Sequence, residues 1–354
     1  MKILDRYIFR TVATTTLVAL LVLLLLEFFL GLLVELEEVG KGNYTFMAAI
    51  RYLLLIQPQR LYEVFPMALL VGGLLGMGAL AGGSELIVMR AAGLSLTRLT
   101  GSVLGAGLLL SLAVLAIGEF AAPPLEQTAR EQRAAATSRD MAIRGGRGFW
   151  ARDGDHFVHV RAVLPGVRLV DIHSFQIGPD ARLESVVAAQ SARYVKGRWL
   201  LEGVNRSLLN GDEVRTEHLP SLEFASAISP KILDVLAANP SELSIRDLLV
   251  YVDYLERNGL DAQNYRLALW RKLLAPLAYV AMLVVAMPFV FGPQRSAGAG
   301  QRLLVGLLLG LAFFLVNYLL GNVVLLYGYP PLAGAILPSL LFLGGGFYAL
   351  HRLR

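Results

Sequence analysis

The sequence predicts a membrane protein of six transmembrane α-helices, three before and three after an inserted all-β domain. Three observations carry this reading. Of 354 residues, 56% are apolar and 17% charged, whereas soluble chains sit near half and a quarter. Six runs reach the length of about 20 mostly apolar residues that a bilayer demands. Between the third and fourth runs, a long segment of ordinary polar composition adopts the period of two typical of strands.

The apolar runs are residues 12–34, 64–81, 101–120, 273–291, 303–327 and 331–350. The first is too long for a signal peptide, carries Glu27 and precedes no small-residue cleavage site, so it reads as a retained span. The domains that follow are 1–120 (spans one to three, with a short cytoplasmic helix at 84–93), 121–270 (the extramembrane domain) and 271–354 (spans four to six).

Orientation follows from Lys and Arg in short loops. With a cytoplasmic N-terminus, the inner segments hold Lys2, Arg6, Arg10, Arg90, Arg98, Arg295, Arg302, Arg352 and Arg354 against Asp5 and Glu85. The first outer loop, 35–63, has three basic and four acidic residues, and 121–270 has 18 basic and 19 acidic. The net charge of +5 therefore reports topology and not a nucleic-acid footprint. Both termini read as cytoplasmic, and the large domain faces the outer side, the periplasm in a diderm bacterium.

Within that domain, residues about 148–224 read as strands: 149–152 and 156–160 around Asp153-Gly154-Asp155, then 169–177, 183–190, 192–195, 198–204, 206–209 and 213–218. Gly178-Pro179-Asp180, Lys196-Gly197 and Asn210-Gly211-Asp212 supply turns. Many short strands predict a sandwich or jellyroll-like sheet whose open edges invite strands from partners. Helices follow over about 241–271, with Leu248, Leu249, Val252 and Leu255 at helical spacing and Gly259 as a stop. Residues 121–145 read as an outward helical extension of span three.

Several chemistries have no support. Cysteine is absent, so there are no disulfides and no thiol catalysis. No phosphate-binding G-x-x-x-x-G-K-[ST] loop, H-E-x-x-H or G-x-S-x-G is present. His156 and His159 are three apart on a strand and point to opposite faces. No catalytic residue, metal site or cofactor is expected, and any ATP must be bound by another subunit.

Other features are informative. Ser84-Glu85-Leu86-Ile87-Val88-Met89-Arg90-Ala91-Ala92-Gly93 reads as a short surface helix, capped by Ser84 and stopped by Gly93. It either rests on lipid or docks a cytoplasmic subunit, with Leu86, Met89 and Ala92 exposed and the Glu85 carboxylate offered to an arginine. Glu27 within span one either hydrogen-bonds a neighbouring helix or faces a cavity. Lys41, Arg51, Arg60, Arg130 and Arg133 lie at headgroup depth on the outer side, where basic groups bind lipid phosphate without selectivity or form a ring for one anionic head group.

The chain resembles the lipopolysaccharide export permeases, the LptF/LptG family. The resemblance rests on Leu4-Asp5-Arg6-Tyr7, Phe65-Pro66-Met67, Ser84-Glu85-Leu86 with Met89 and Gly93, and Gly118-Glu119-Phe120 with Pro123. Phe289-Val290-Phe291-Gly292-Pro293, Tyr327-Gly328 with Pro330-Pro331, and Leu337-Pro338 complete it. The first and fourth stretches stand nearer the LptG branch. The resemblance implies a heterodimer with an LptF-like permease on a dimer of the LptB-like cytoplasmic ATPase. It implies lipopolysaccharide entering between span one of one subunit and span five of the other, then passing through β-jellyrolls to LptC-like and LptA-like proteins. It assigns ATPase docking to Ser84, Glu85, Leu86, Met89 and Ala92, and lipid-phosphate contact to Arg130 and Arg133, with Lys41 and Arg60 as further candidates. One departure stands out: where some relatives carry lysines, this chain has Glu35, Glu37 and Glu38. The implied function is a non-catalytic permease subunit of an ATP-driven exporter in a Gram-negative inner membrane. The alternative is a membrane-anchored scaffold that binds periplasmic proteins without moving lipid. A lipid-modifying enzyme would need an acid–base or metal set that no motif supplies.

Overall fold

The N-terminal helix α1 (Lys2–Leu36) turns back into α2 (Phe46–Gly82). The computed structural model that gives this architecture describes residues 2–137, 149–164, 168–180, 182–195, 198–210, 213–224, 239–291 and 298–352. Gly148, the turn at Lys196-Gly197, Gly211-Asp212, the extension beyond 137, Gly292-Pro293, Arg295 and Arg354 lie outside those residues. Both helices outrun the apolar stretches at 12–34 and 64–81, because lengthening a nucleated helix adds a hydrogen bond per residue at little further entropic cost. Thr45 caps α2 by accepting from the Ala48 N–H at 3.3 Å.

Small residues set how closely α1 and α2 approach. Gly72 and Gly76 lie one turn apart, and a Cβ at Gly72 would overlap the Thr16 backbone. Thr15 donates its hydroxyl to the Gly72 carbonyl at 2.7 Å. This is the small-xxx-small contact by which membrane helices gain packing that lipid tails do not oppose.

A short helix α3 (Glu85–Ala91) leads to α4 (Leu96–Ala116), which continues through a π-helical turn (Ile117–Ala121) into α5 (Ala122–Thr137). Span three and its extension are therefore one rod.

Six strands form one antiparallel meander in chain order: β1 (Phe149–Asp153), β2 (His156–Leu164), β3 (Arg168–Ile177), β4 (Leu183–Val195), β5 (Arg198–Asn210) and β6 (Glu213–Phe224). The segments expected as separate strands at 183–190 and 192–195 are one strand, as are those at 198–204 and 206–209. The reason is a crease. Asp171, Gln190, Gly203 and Pro220 fall opposite one another between regular pairs on either side. Asp171 (φ 54°) and Gly203 (φ 64°) are left-handed there, which flips the alternation. Leu169 is buried before the crease and Ile172 and Ser174 after it; Trp199 and Leu201 before, Val204 after. One face thus stays inward along strands whose sequence alternation reverses. Pro220 is tolerated because β6 is an edge strand.

The inward face, including Val158, Val160, Ile172 and Val204, packs on Leu248, Tyr251, Tyr254 and Leu255 of α6 (Ile245–Arg257) and on Leu269 of α7 (Gln263–Leu273). Leu249, expected on this face, is exposed, and the aromatic rings of Tyr251 and Tyr254 take the buried positions. Helix α7 bends by 54° into α8 (Ala275–Phe291), and α9 (Ala299–Tyr327) and α10 (Pro331–His351) complete the chain. Among the described residues, five helices are long and apolar enough to cross a membrane, and the bent α7–α8 pair passes the same test when taken together. Their core centres on α2 and α8, where Phe65, Leu69, Met77, Tyr279, Met282 and Leu283 are buried. In contrast, the apolar surfaces of α1 and α9 are largely exposed.

The sheet and α3 occupy opposite ends. Gln59 of α2 hydrogen-bonds Ser241 at the root of the sheet domain, while Gly82 ends α2 just before Glu85. The intervening stretch of α2 spans about 35 Å at 1.5 Å per residue, slightly more than a hydrocarbon core of about 30 Å.

Candidate functional site

The α3 end is built by backbone conformation. Ser84 is left-handed (φ 60°) and its side chain makes no cap hydrogen bond, contrary to the expected capping role. Termination follows the expected course: Gly93 has φ 89°, and its N–H and that of Leu94 bond the Arg90 and Met89 carbonyls at 3.0 and 3.2 Å. Leu86 and Met89 do not face outward. They are buried in the membrane core beside Leu80 and Leu99, because a seven-residue helix must itself bury a face to stay attached. The exposed surface includes Ile87, Val88, Arg90, Ala91 and Ala92, with Glu85 half-buried at its edge. The Tyr7 hydroxyl of α1 stands beside the Glu85 carboxylate. Nearby, Ser102 of α4 donates to Asp5 of α1 at 2.7 Å. The first turns of α1 are therefore tied to the α3–α4 hairpin. Tyr7 lay in plain view within Leu4-Asp5-Arg6-Tyr7, but nothing in its spacing signals a contact with Glu85.

At the opposite end, each of the four candidate phosphate-binding cations has a carboxylate partner. Lys41 pairs with Glu38 at 2.9 Å and Arg60 with Glu63 at 2.9 Å. Arg130 bonds Glu126 at 3.3 Å and also Glu242. Arg133 donates to Glu35 at 3.0 Å, and Tyr44 donates its hydroxyl to the same Glu35 oxygen at 2.8 Å. The Lys41 hydrogen bond holds the Glu38 carboxyl below its usual range, and burial pushes the Tyr44 hydroxyl up. The Arg133 guanidinium also lies 5.5 Å from the centroid of the Tyr52 ring. Arg130 and Arg133 share one face of α5 as their spacing requires, but they reach different partners. Glu27 is half-buried on α1 and within electrostatic range of Arg60.

Sequence reasoning missed a polar collar joining the bundle to the sheet domain. Asn239–Ile245 is held by side chains from three membrane-side elements. Gln59 of α2 donates to the Ser241 carbonyl at 3.3 Å, Arg130 of α5 bonds Glu242, and Glu119 of the π turn accepts from the Ile245 N–H at 2.8 Å. Lys272 of α7 is buried beside this collar, 5.6 Å from the centroid of the Tyr62 ring. Glu119 stood in the family stretch Gly118-Glu119-Phe120, but a π turn has no sequence signature, and the Ile245 N–H that Glu119 meets lies 126 positions away.

Helix α6 carries the connection onward. Asn258 at its C-terminal end accepts from the Gly154 N–H at 3.0 Å, and Tyr254 donates its hydroxyl to the Arg152 carbonyl at 2.8 Å. Burial pushes the Tyr254 hydroxyl up to about 12. Across the sheet, His156 packs against Phe224 while His159 packs against Trp150. Among the described residues, no three His, Cys, Asp or Glu side chains are placed to hold a metal.

A bundle of membrane-crossing helices with a tethered sheet at one end and a short surface helix at the other defines a polytopic membrane protein with an extramembrane β domain. The family model for the lipopolysaccharide export system permeases LptF/LptG matches residues 6–352. The chain belongs to that family. It is 37% identical over 343 residues to the lipopolysaccharide export system permease protein LptG of Escherichia coli K12, covering 96% of this chain and 95% of the relative. It is 34% identical over 353 residues to LptG of Haemophilus influenzae, covering 99% of each.

Proposed function

We propose that the chain is the LptG-type permease subunit of an ATP-driven transporter that extracts lipopolysaccharide from the inner membrane and passes it to a periplasmic bridge. The observation that carries this reading is similarity to lipopolysaccharide export permeases over nearly the whole chain. The working units are the membrane segments 1–120 and 271–354 and the periplasmic segment 121–270, with both termini in the cytoplasm. An LptF-like permease pairs with it in the membrane. An LptB-like ATPase dimer binds the α3 surface and supplies all the ATP chemistry. LptC-like and LptA-like sheets receive the lipid from the open edges of the β domain.

In this reading, docking uses Glu85 and Ala92 with Ile87 and Val88 as the apolar contact, while Leu86 and Met89 brace the helix from inside and Ser84 shapes its entry. Lys41, Arg60, Arg130 and Arg133 hold the phosphorylated head group, each exchanging a carboxylate for it. Glu27 tunes Arg60 from α1. The collar transmits motion of the bundle to the sheet.

A membrane-anchored scaffold that moves no lipid is the competing reading. Co-purification separates them. Lipopolysaccharide should accompany the purified permease complex, and the Arg130→Gln/Arg133→Gln double variant should lose most of it while still folding. A complex that assembles but never carries lipopolysaccharide would favour the scaffold.

A further inference from the structure

Glu35 is an acid of unusual placement. It lies in the last turn of α1 and is only 6% exposed. One of its oxygens accepts from both Tyr44 and Arg133. The bond to Arg133 joins the outer end of α1 to α5, 98 positions further along the chain. We infer that Glu35 is a specificity-determining residue: it occupies the anion seat of Arg133, so that only a strongly charged phosphate displaces it and frees the outer end of α1. The inference rests on the proposed role of Arg133 in holding a lipid phosphate.

The chemistry follows from competition for one cation. A guanidinium matches carboxylate and phosphate oxygens alike. A phosphate monoester carries a charge of about −1.5 to −2 with three acceptor oxygens, against one negative charge for the carboxylate. A phosphodiester head group also carries one negative charge, so it gains little by replacing Glu35. The occupied seat therefore discriminates against bulk phospholipid by requiring displacement, a repulsive element of specificity.

Displacement also has a mechanical consequence. A buried carboxylate that loses its cation is strongly disfavoured, and the Tyr44 hydroxyl alone does not replace Arg133. Glu35 must then turn toward water. Since its side chain is enclosed between α1, α5 and Tyr44, that turn moves the last turn of α1 away from α5. Phosphate recognition and loosening of α1 become one event.

Binding to full-length protein in nanodiscs tests this, with diphosphoryl lipid A and phosphatidylglycerol as the probes. Glu35→Gln keeps the shape and an acceptor for Tyr44 while removing the charge. It should raise affinity for phosphatidylglycerol by about tenfold, the equivalent of 1.4 kcal/mol, and so lower the preference for diphosphoryl lipid A. Arg133→Gln should weaken diphosphoryl lipid A binding. If Arg133→Gln weakens binding but Glu35→Gln leaves selectivity unchanged, the inference is overturned and the phosphate site stands. If Arg133→Gln binds as wild type does, the phosphate site itself fails. A second measurement leaves the Glu35 pair intact. The cysteine-free chain accepts spin labels at the exposed positions of Glu37→Cys and Glu131→Cys. Their separation should lengthen with diphosphoryl lipid A and not with phosphatidylglycerol; an unchanged separation with both would contradict the coupling.

Discussion

The carboxylate of Glu119 caps the first residue of α6, accepting from the Ile245 N–H at 2.8 Å across 126 positions of sequence. Glu119 stands on the π turn of span three, and α6 underlies the sheet. One hydrogen bond thus links a membrane helix to the support of the β domain. A carboxylate at a helix N-terminus also meets the positive end of the helix dipole. Ser244 caps the same helix at 3.1 Å, so Glu119 is not needed to form α6. It positions it.

Glu119→Ala should cost about 1 kcal/mol, typical of a lost cap. The Ile245 amide should exchange faster with solvent while β4 and β5 keep their protection. Hydrogen-exchange mass spectrometry reads both. Equal protection of Ile245 in variant and wild type would show that Ser244 carries the cap alone.

The far end of α6 makes a separate prediction. Tyr254→Phe removes the bond to the Arg152 carbonyl and little else, since the ring remains in the core. The loss should be about 0.5–1.5 kcal/mol, read as a lower thermal midpoint, with looser exchange at the β1–β2 hairpin.

At the crease, Gly203 has φ 64°, and a Cβ there would meet the Gln190 side chain at 2.8 Å. Gly203→Ala should cost about 1–2 kcal/mol from the left-handed backbone alone. The companion change Gln190→Ala should relieve the steric part and leave the backbone part, which a double-mutant cycle separates.

The α1–α2 contact is less forgiving. Gly72→Val would drive two methyl groups into the Thr16 backbone, and overpacking of this kind costs about 1–3 kcal/mol. The variant should reach the membrane in lower yield, with a lowered thermal midpoint in detergent. Wild-type stability would mean that α1 packs elsewhere on α2.

Much of the fold was legible because apolar length and turn residues are local. Five of the six apolar runs fall in helices long enough to cross a membrane and the sixth in the bent α7–α8 pair, and the β1–β2 hairpin follows from Asp153-Gly154-Asp155. Helix extents were not legible, since α1 and α2 continue through polar residues at either end. Nor was the unity of β4 and β5, because the crease through Asp171, Gln190, Gly203 and Pro220 inverts the alternation from which strand faces are read. Among the candidate site residues, Glu85 and the four cations were singled out by type and place. Their partners were not: Tyr7 lies on another helix, and Glu35 lies 98 positions from Arg133. Leu86 and Met89 were assigned the right helical face but the wrong direction, since periodicity groups residues without saying which side is covered.

On the proposed function, Glu85 on α3 couples a cytoplasmic ATPase to lipid export. ATP-dependent release of lipopolysaccharide from proteoliposomes containing the chain, its partner permease and the ATPase measures this most directly. With Glu85→Lys, release should fall at least about tenfold, which corresponds to 1.4 kcal/mol of lost coupling, while the isolated chain stays folded with only a small drop in thermal midpoint from the lost Tyr7 contact. Release by Glu85→Lys at the wild-type rate, with the ATPase still bound, would rule out coupling through Glu85.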